Sequence, residues 1–312
     1  MRLILFIRQQ KIRVIGYKPK IVFENIRLSS DRSLEGVAVS LLATAKNLTD
    51  APQRTDGIIL LDGRKFQNYA VELNGNGSQE LRINLQIPAG KHSLKIGNSA
   101  EVPISVQPKK MLDLAKMPLY QYGSQRTKPF TLESDPKSNH FKIVASGSDF
   151  YHAEDSYATI YLKRIKGDFV ATVQICNFGE RTHEWFRSGL FVRNDLSSSF
   201  DVLPGSKGSV LLFGTPGRAG IQYDEFANGC MHKASSQNLP EHSKTPIYLK
   251  LVRHGNSFSG FISLDGTNWI IEKQTNDLPG LNESVDIGLA AGGPDTRQYT
   301  VEFKDWKIEV AK

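Results

Sequence analysis

From residue 20 to the C-terminus, apolar side chains keep to alternate positions or to short β-branched runs, and Gly, Asn, Asp and Pro cut those runs. A period of two places every second side chain on one face of a pleated strand, whereas a helix needs a period near 3.6. Helical periodicity is almost absent, so the chain is expected to be all-β. In the first half the strand candidates are KIVFENIRL, VAVSLLATAKN, GIILLD, YAVELN, ELRINLQI, HSLKIG and EVPISV. Asp62-Gly63, Asn74-Gly75-Asn76-Gly77 and Gly97-Asn98 separate them and supply the positive φ angles of tight hairpins. Seven short strands in about 90 residues match an immunoglobulin-like β-sandwich.

The strand rhythm lapses in QPKKMLDLAKMPLYQYGSQRTKPF and returns from Phe141 as FKIVAS, YATIYLKR, GDFVATVQIC, SGLFVRND, GSVLLFG, GIQYD, IYLKLVRHG, SFSGFISLDG, NWIIEKQT, VDIGLAAG and TVEFKDWKIEV. With no βαβ alternation, this block predicts two large antiparallel sheets packed face to face. A length of 312 residues exceeds what one core normally serves. The expected organisation is an N-terminal extension over 1–17, an immunoglobulin-like sandwich over 18–106, a linker over 107–128 and a larger β-sandwich over 129–312.

The net charge of +7 raises nucleic-acid binding, and its location argues against it. Residues 1–127 hold 19 Lys and Arg against 10 acids, and residues 128–312 hold 20 against 22. Six of the basic residues fall in the first twenty positions, which contain no acid, so a basic terminal stretch accounts for the excess. The apolar run Leu3 to Ile7 is shorter than a secretory signal core, and no stretch approaches the roughly 18 apolar residues of a membrane span. Neither membrane insertion nor a nucleic-acid partner is expected.

The second block resembles the concanavalin A-like lectin/glucanase superfamily and, more narrowly, the bacterial regulation-of-enolase-like family. The residues that carry this are GDFVATVQI, Trp185 shortly before SGLFVRND, IYLKLVRHGNSFSGFISLDGTNW, VDIGLAA and FKDWKI, in that order. The resemblance implies a jelly-roll sandwich. The first block resembles bacterial adhesion-type immunoglobulin-like modules through VSLLATAKNLTDAP, IILLDGRKF and SQELRINLQIPAGKHSLKIG. Such modules are commonly spacers, so the resemblance implies a portion of an exported, secreted or cell-surface protein.

Glucan-cleaving enzymes of the concanavalin A-like fold carry a Glu-x-Asp-x-Glu strand, which sets acid and nucleophile on one face. No such string is present, and Glu154-Asp155 and Asp224-Glu225 would point adjacent carboxylates to opposite faces of a strand. The seven histidines show neither His-x-His nor His-Glu-x-x-His spacing, and Ser197 to Ser199 lacks a Gly-x-Ser-x-Gly elbow. Structural calcium would fit the Glu154-Asp155 or Asp224-Glu225 loops; no other cofactor is implied. SLDGTNW echoes a sialidase Asp-box but reads as turn chemistry at Asp265-Gly266. Cys176 and Cys230 are free thiols or a single bridge.

What remains is a sugar platform. HEWFRSGLFVRND places His183, Trp185, Arg187, Arg193 and Asp195 within thirteen residues, and Gln222 and Tyr223 in GIQYDEF could join them from an adjacent strand. On a strand running to Asp195, Leu190 and Val192 would face one way and Phe191, Arg193 and Asp195 the other. Trp185 is a stacking surface or a plug at a loop base, and Arg193 a binding group or a structural one. The expected function is non-catalytic binding of a glycan or cell-surface ligand. The alternatives are a glycoside hydrolase or polysaccharide lyase with an unrecognised carboxylate pair, and a pure spacer.

Overall fold

The computed structural model describes residues 20–124, 129–147, 150, 156–180, 183–197, 207–240 and 245–312. The extension at 1–17, the Glu154-Asp155 loop and Ser198-Ser199 lie outside them. In chain order the first strands are β1 (Ile21–Leu28), β2 (Arg32–Leu34), β3 (Val39–Asn47), β4 (Gln53–Leu61), β5 (Arg64–Leu73), β6 (Ser78–Leu85), β7 (Gly90–Ile96) and β8 (Val102–Gln107). There follow β9 (Lys109–Met111), β10 (Tyr120–Gly123), β11 (Thr131–Asp135), β12 (His140–Ala145), β13 (Ala158–Lys166), β14 (Phe169–Asn177), β15 (Arg187–Arg193) and β16 (Val210–Thr215). The last are β17 (Arg218–Tyr223), β18 (Lys233–Asn238), β19 (Ile247–His254), β20 (Ser257–Ser263), β21 (Ile270–Gln274), β22 (Ser284–Gly292) and β23 (Tyr299–Ala311). Among the described residues the helical content is one 3-10 turn, Leu114–Lys116. The protein is all-β.

Two compact units divide the chain. Of the described residues, the first takes in 20–31, 38–87 and 91–105. Its sheets are β1-β3-β6 and a second containing β8-β7-β4-β5, with Ile21, Ala45, Val71 and Leu73 in one apolar cluster. The second unit comprises 32–37, 88–90 and 106–312. Two expected boundaries therefore move. Residues 32–37, read as part of the first sandwich, bury Leu34 in an apolar cluster with Val170 and Val252. The stretch read as a linker also belongs to the second unit: β9 pairs with β23, Leu114 is buried in the main core, and β10 pairs with β13. Proline and lysine interrupt the alternation over 107–128 without removing the apolar residues that dock it, and edge strands tolerate both.

The second unit is a sandwich of a seven-stranded sheet, β10-β13-β22-β15-β16-β17-β18, and an eight-stranded sheet, β11-β12-β23-β14-β19-β20-β21 with β9 added on β23. Neighbours in both sheets run antiparallel. The core between the sheets takes Leu190, Val192, Leu212 and Ile221 from one and Phe141, Ile175, Leu249 and Trp306 from the other. Period two then dictates the opposite faces. Phe191, Leu211 and Phe213 leave the core side and join Phe150, Tyr157, Tyr161, Leu196 and Met231 in a second apolar cluster. β15 is therefore buried at every position. At the closing strand, Trp306 N–H donates to Asn139 Oδ1 at 3.0 Å and Asn139 Nδ2 donates back to the Trp306 carbonyl at 2.9 Å.

The hairpin in SFSGFISLDGTNW forms as read, with Phe258 and Ile262 in the core and Phe261 on the other face. Asp265 Oδ1 accepts from Ser263 Oγ, Thr267 N and Asn268 N, and Oδ2 accepts from Asn268 Nδ2. Those donors hold its carboxyl far below the ordinary range. Gly266 at φ +74° completes the turn, a conformation that side chains resist.

On the outer face of the eight-stranded sheet, Lys250 Nζ lies 4.1 Å from the Trp269 ring centroid and 5.0 Å from that of Phe261. Burial pushes its ammonium down to about 8, and Lys109 adds repulsion. An unfolded lysine titrates near 10.4, so between about 8 and 10 the folded state binds fewer protons than the unfolded chain and stability rises with pH. The wild-type melting temperature should therefore climb relative to that of Lys250→Met as pH goes from about 7 to about 10. A difference that stays flat over that window would contradict this picture.

Candidate functional site

The segment before β15 is a tight turn in which Phe186 N–H donates to the His183 carbonyl at 3.0 Å. Phe186 is fully buried and stacks on Tyr299, with ring centroids 5.1 Å apart. Anchoring Phe186 inward turns its neighbour outward, and Trp185 keeps 42% of its surface exposed. His183 is half-buried, and its Nδ1 accepts the Trp185 backbone N–H at 3.1 Å. This leaves the imidazole proton on Nε2 and makes His183 the base of the turn.

Arg187 opens β15 and is 6% exposed. Its guanidinium carbon lies 5.4 Å from the ring centroid of Trp185 and 5.4 Å from that of Phe213. A second guanidinium, from Arg218 on β17, lies 5.3 Å from the Trp185 ring. The register explains the meeting: Ser188 pairs with Gly214 and Thr215 with Arg218, so the ends of β15, β16 and β17 are level. Arg218 is half-buried and donates from Nη2 to Ser236 Oγ at 2.7 Å. Its Nε, and Thr215 Oγ1 beside it, have no hydrogen-bond partner among the described residues. Trp185 and two arginines thus form a cationic, aromatic platform at one end of the outer face of the seven-stranded sheet.

The other sequence candidates do not join it. Arg193 is 1% exposed; its Nη1 donates to Tyr157 Oη at 3.1 Å, and Tyr157 Oη donates to the Leu196 carbonyl at 3.0 Å. The aromatic cluster on the outer face encloses it, so Arg193 is turned to protein partners and away from the surface. Asp195 lies beyond β15, which ends at Arg193, and its Oδ1 accepts from both Ser197 N and Ser197 Oγ as a turn cap. Gln222 is fully buried, with Nε2 donating to the Met231 carbonyl at 2.9 Å. Tyr223, one position on, points the other way into the main core.

Arg218, Phe213 and Thr215 were absent from the sequence reading. The available signal was the Pro216-Gly217 dipeptide, a two-residue turn with Gly217 at φ +82° that sets Thr215 opposite Arg218. The Asp224-Glu225 loop also proves different from a calcium loop. Asp224 is fully buried, its Oδ1 accepts from Phe226 N and Asn228 N, and its Oδ2 accepts from Gly208 N and Gly229 N. Four backbone donors occupy the oxygens a cation would need. Cys176 and Cys230 are both free thiols.

A cavity of about 640 Å³ in the second unit shares no lining residue with the platform. Two of its charged lining residues are committed internally. Arg253 donates to the carbonyls of Gly255, Asn282 and Glu283, and Asp168 accepts from Gly255 N and pairs with Arg32 at 3.4 Å.

No family model matches the chain, and no curated protein matches it. Solved structures do show a likeness. A functionally unknown protein from Saccharomyces cerevisiae is 15% identical at a TM-score of 0.47, covering 64% of this chain and 99% of its own. The Lotus tetragonolobus seed lectin is 9% identical at a TM-score of 0.42, covering 65% of this chain and 99% of its own. A Bacteroides ovatus xyloglucan-locus protein, GH43B, is 11% identical at a TM-score of 0.40, covering 93% of this chain and 66% of its own. Likeness at this level carries no functional argument.

Two stability tests follow. Arg193→Ala should cost roughly 2–4 kcal/mol, because it opens a cavity and removes the donor to the Tyr157 hydroxyl, while Trp185→Ala should change stability by about 1 kcal/mol or less. Equal losses in chemical denaturation would show that Trp185 is a plug. Asp224→Asn turns an amide toward backbone N–H donors and should lower stability by about 3 kcal/mol, with no recovery on adding Ca²⁺. A calcium-dependent gain in melting temperature would restore the metal reading.

Proposed function

We propose that the second unit is a non-catalytic glycan-binding module whose ligand docks on Trp185, and that the ligand carries acidic groups. The observation that carries this is Trp185, 42% exposed, with the guanidiniums of Arg187 and Arg218 both within 5.4 Å of its ring centroid. An exposed indole face takes the C–H side of a sugar ring, and the half-buried Arg218 beside it carries a fork that matches the planar oxygens of a carboxylate or sulfate, with the buried Arg187 adding positive charge beneath. Glu184 is the acidic residue nearest in sequence and is exposed. The first unit is read as an immunoglobulin-like spacer, and the whole as part of an exported protein. Among the described residues no helix is long and apolar enough to cross a membrane.

Affinity electrophoresis and calorimetry with neutral glucans and with polyuronates test the reading. Retardation by a polyuronate, weakened by salt and by about tenfold or more in Trp185→Ala, is expected, with Arg218→Ala shifting the salt dependence. Release of reducing ends or unsaturated products would replace binding by catalysis. Absence of retardation by any member of the panel would leave the spacer role as the better account.

A further inference from the structure

Three adjacent strands of the eight-stranded sheet, β12, β23 and β14, each bring one metal-ligating side chain to the face away from the core. Phe141, Phe303 and Ile175 all point into the core. Their neighbours His140, Glu302 and Cys176 therefore point outward. The pairing places β23 between the other two, with Lys142 opposite Glu302 on one side and Asn177 opposite Glu302 on the other. The register of β14 slips between Ile175 and Asn177, so Cys176 is the extra residue of a bulge, which swings it level with Glu302.

The ligand atoms of His140, Cys176 and Glu302 all lie within 4.8 Å of one another, and all three residues are half-buried. His140 Nε2 is 3.0 Å from Glu302 Oε2. Asn177 Nδ2 donates to the second carboxylate oxygen, Oε1, at 2.9 Å, and Asn177 Oδ1 is itself fixed by Gly179 N at 2.9 Å. The outer hydrogen bond that orients the carboxylate is thus in place, one of its oxygens is left to face the imidazole, and Cys176 Sγ donates to the Glu302 carbonyl at 3.4 Å. Tetrahedral coordination at bond lengths of about 2.0–2.2 Å sets oxygen and nitrogen ligands roughly 3.4 Å apart, a few tenths beyond the separation seen.

We propose that His140, Cys176 and Glu302 bind one zinc-class divalent cation, with solvent completing the coordination. The donor set selects the metal. Thiolate and imidazole suit zinc and reject calcium and magnesium, which require oxygen ligands. A thiolate and a carboxylate together neutralise the ion's charge. On binding, the Cys176 thiol proton leaves to solvent as the Zn–S bond forms, and the imidazole proton resides on Nδ1, freeing Nε2 to coordinate. Burial pushes the Cys176 thiol up, while Lys304 beside it works in the opposite sense.

The test uses the full chain. Cobalt(II) added to protein carrying Cys230→Ser should give a thiolate-to-cobalt charge-transfer band that saturates at one equivalent and is displaced by zinc. Cys176→Ser should abolish the band, and His140→Ala should weaken cobalt binding at least tenfold, with melting temperatures in chelator near the parent's. Independently of any variant, zinc should slow alkylation of Cys176 at least tenfold in the unmodified protein, read by peptide mass, and leave Cys230 unaffected. A saturated cobalt complex without a charge-transfer band, or a Cys176 alkylation rate that zinc does not change, overturns the site.

Discussion

Each sheet of the second unit is built around a strand from the far end of the chain. β22 sits between β13 and β15, and β23 sits between β12 and β14. Until the last thirty or so residues arrive, both sheets are split down the middle, with bare hydrogen-bonding edges on either side of the gap. This requirement shapes the sequence. β22, SVDIGLAAG, is buried along nearly its whole length, and its small residues let neighbouring strands approach. The clamp of Asn139 on Trp306 holds the closing strand where the eight-stranded sheet would otherwise open. Residues 109–111 add to the edge of β23, so what reads as a linker is part of the same closure.

The outer face of the seven-stranded sheet is largely occupied by the protein itself. Phe150, Tyr157, Phe191 and Met231 fill it, with Arg193 sealed among them through the Tyr157 hydroxyl. At one end of that face the turn before β15 sends Phe186 inward and leaves Trp185 exposed. Arg187 and Arg193 share a face of β15 and are both buried, Arg187 against Trp185 and Phe213 and Arg193 against Tyr157.

Buried or capped carboxylates across the unit share one physical logic. Asp224 collects four backbone donors, Asp265 organises a hairpin, and Asp286 accepts from Arg164 N and Leu196 N. Each fixes a loop that has few apolar residues to hold it. Glu302 is different, because its partners are side chains from neighbouring strands and one of its oxygens faces an imidazole.

Local rules were enough to read much of this from the chain. Alternation marks the strands, and it correctly sends Leu190 and Val192 one way and Phe191 the other, because the pleat has a period of two whatever surrounds it. Asp265-Gly266 declares its hairpin for the same reason: the donors it satisfies are two and three residues away. Burial on the second face is not a local property. Arg193 beside Phe191 reads equally as a binding group or a structural one until Phe150 and Tyr157 are brought over it from forty residues upstream. The convergence of Arg187 with Arg218, and of His140 with Cys176 and Glu302, depends on strand order and on a one-residue bulge. Those are settled by which sheet faces pack together, and no spacing along the chain encodes them.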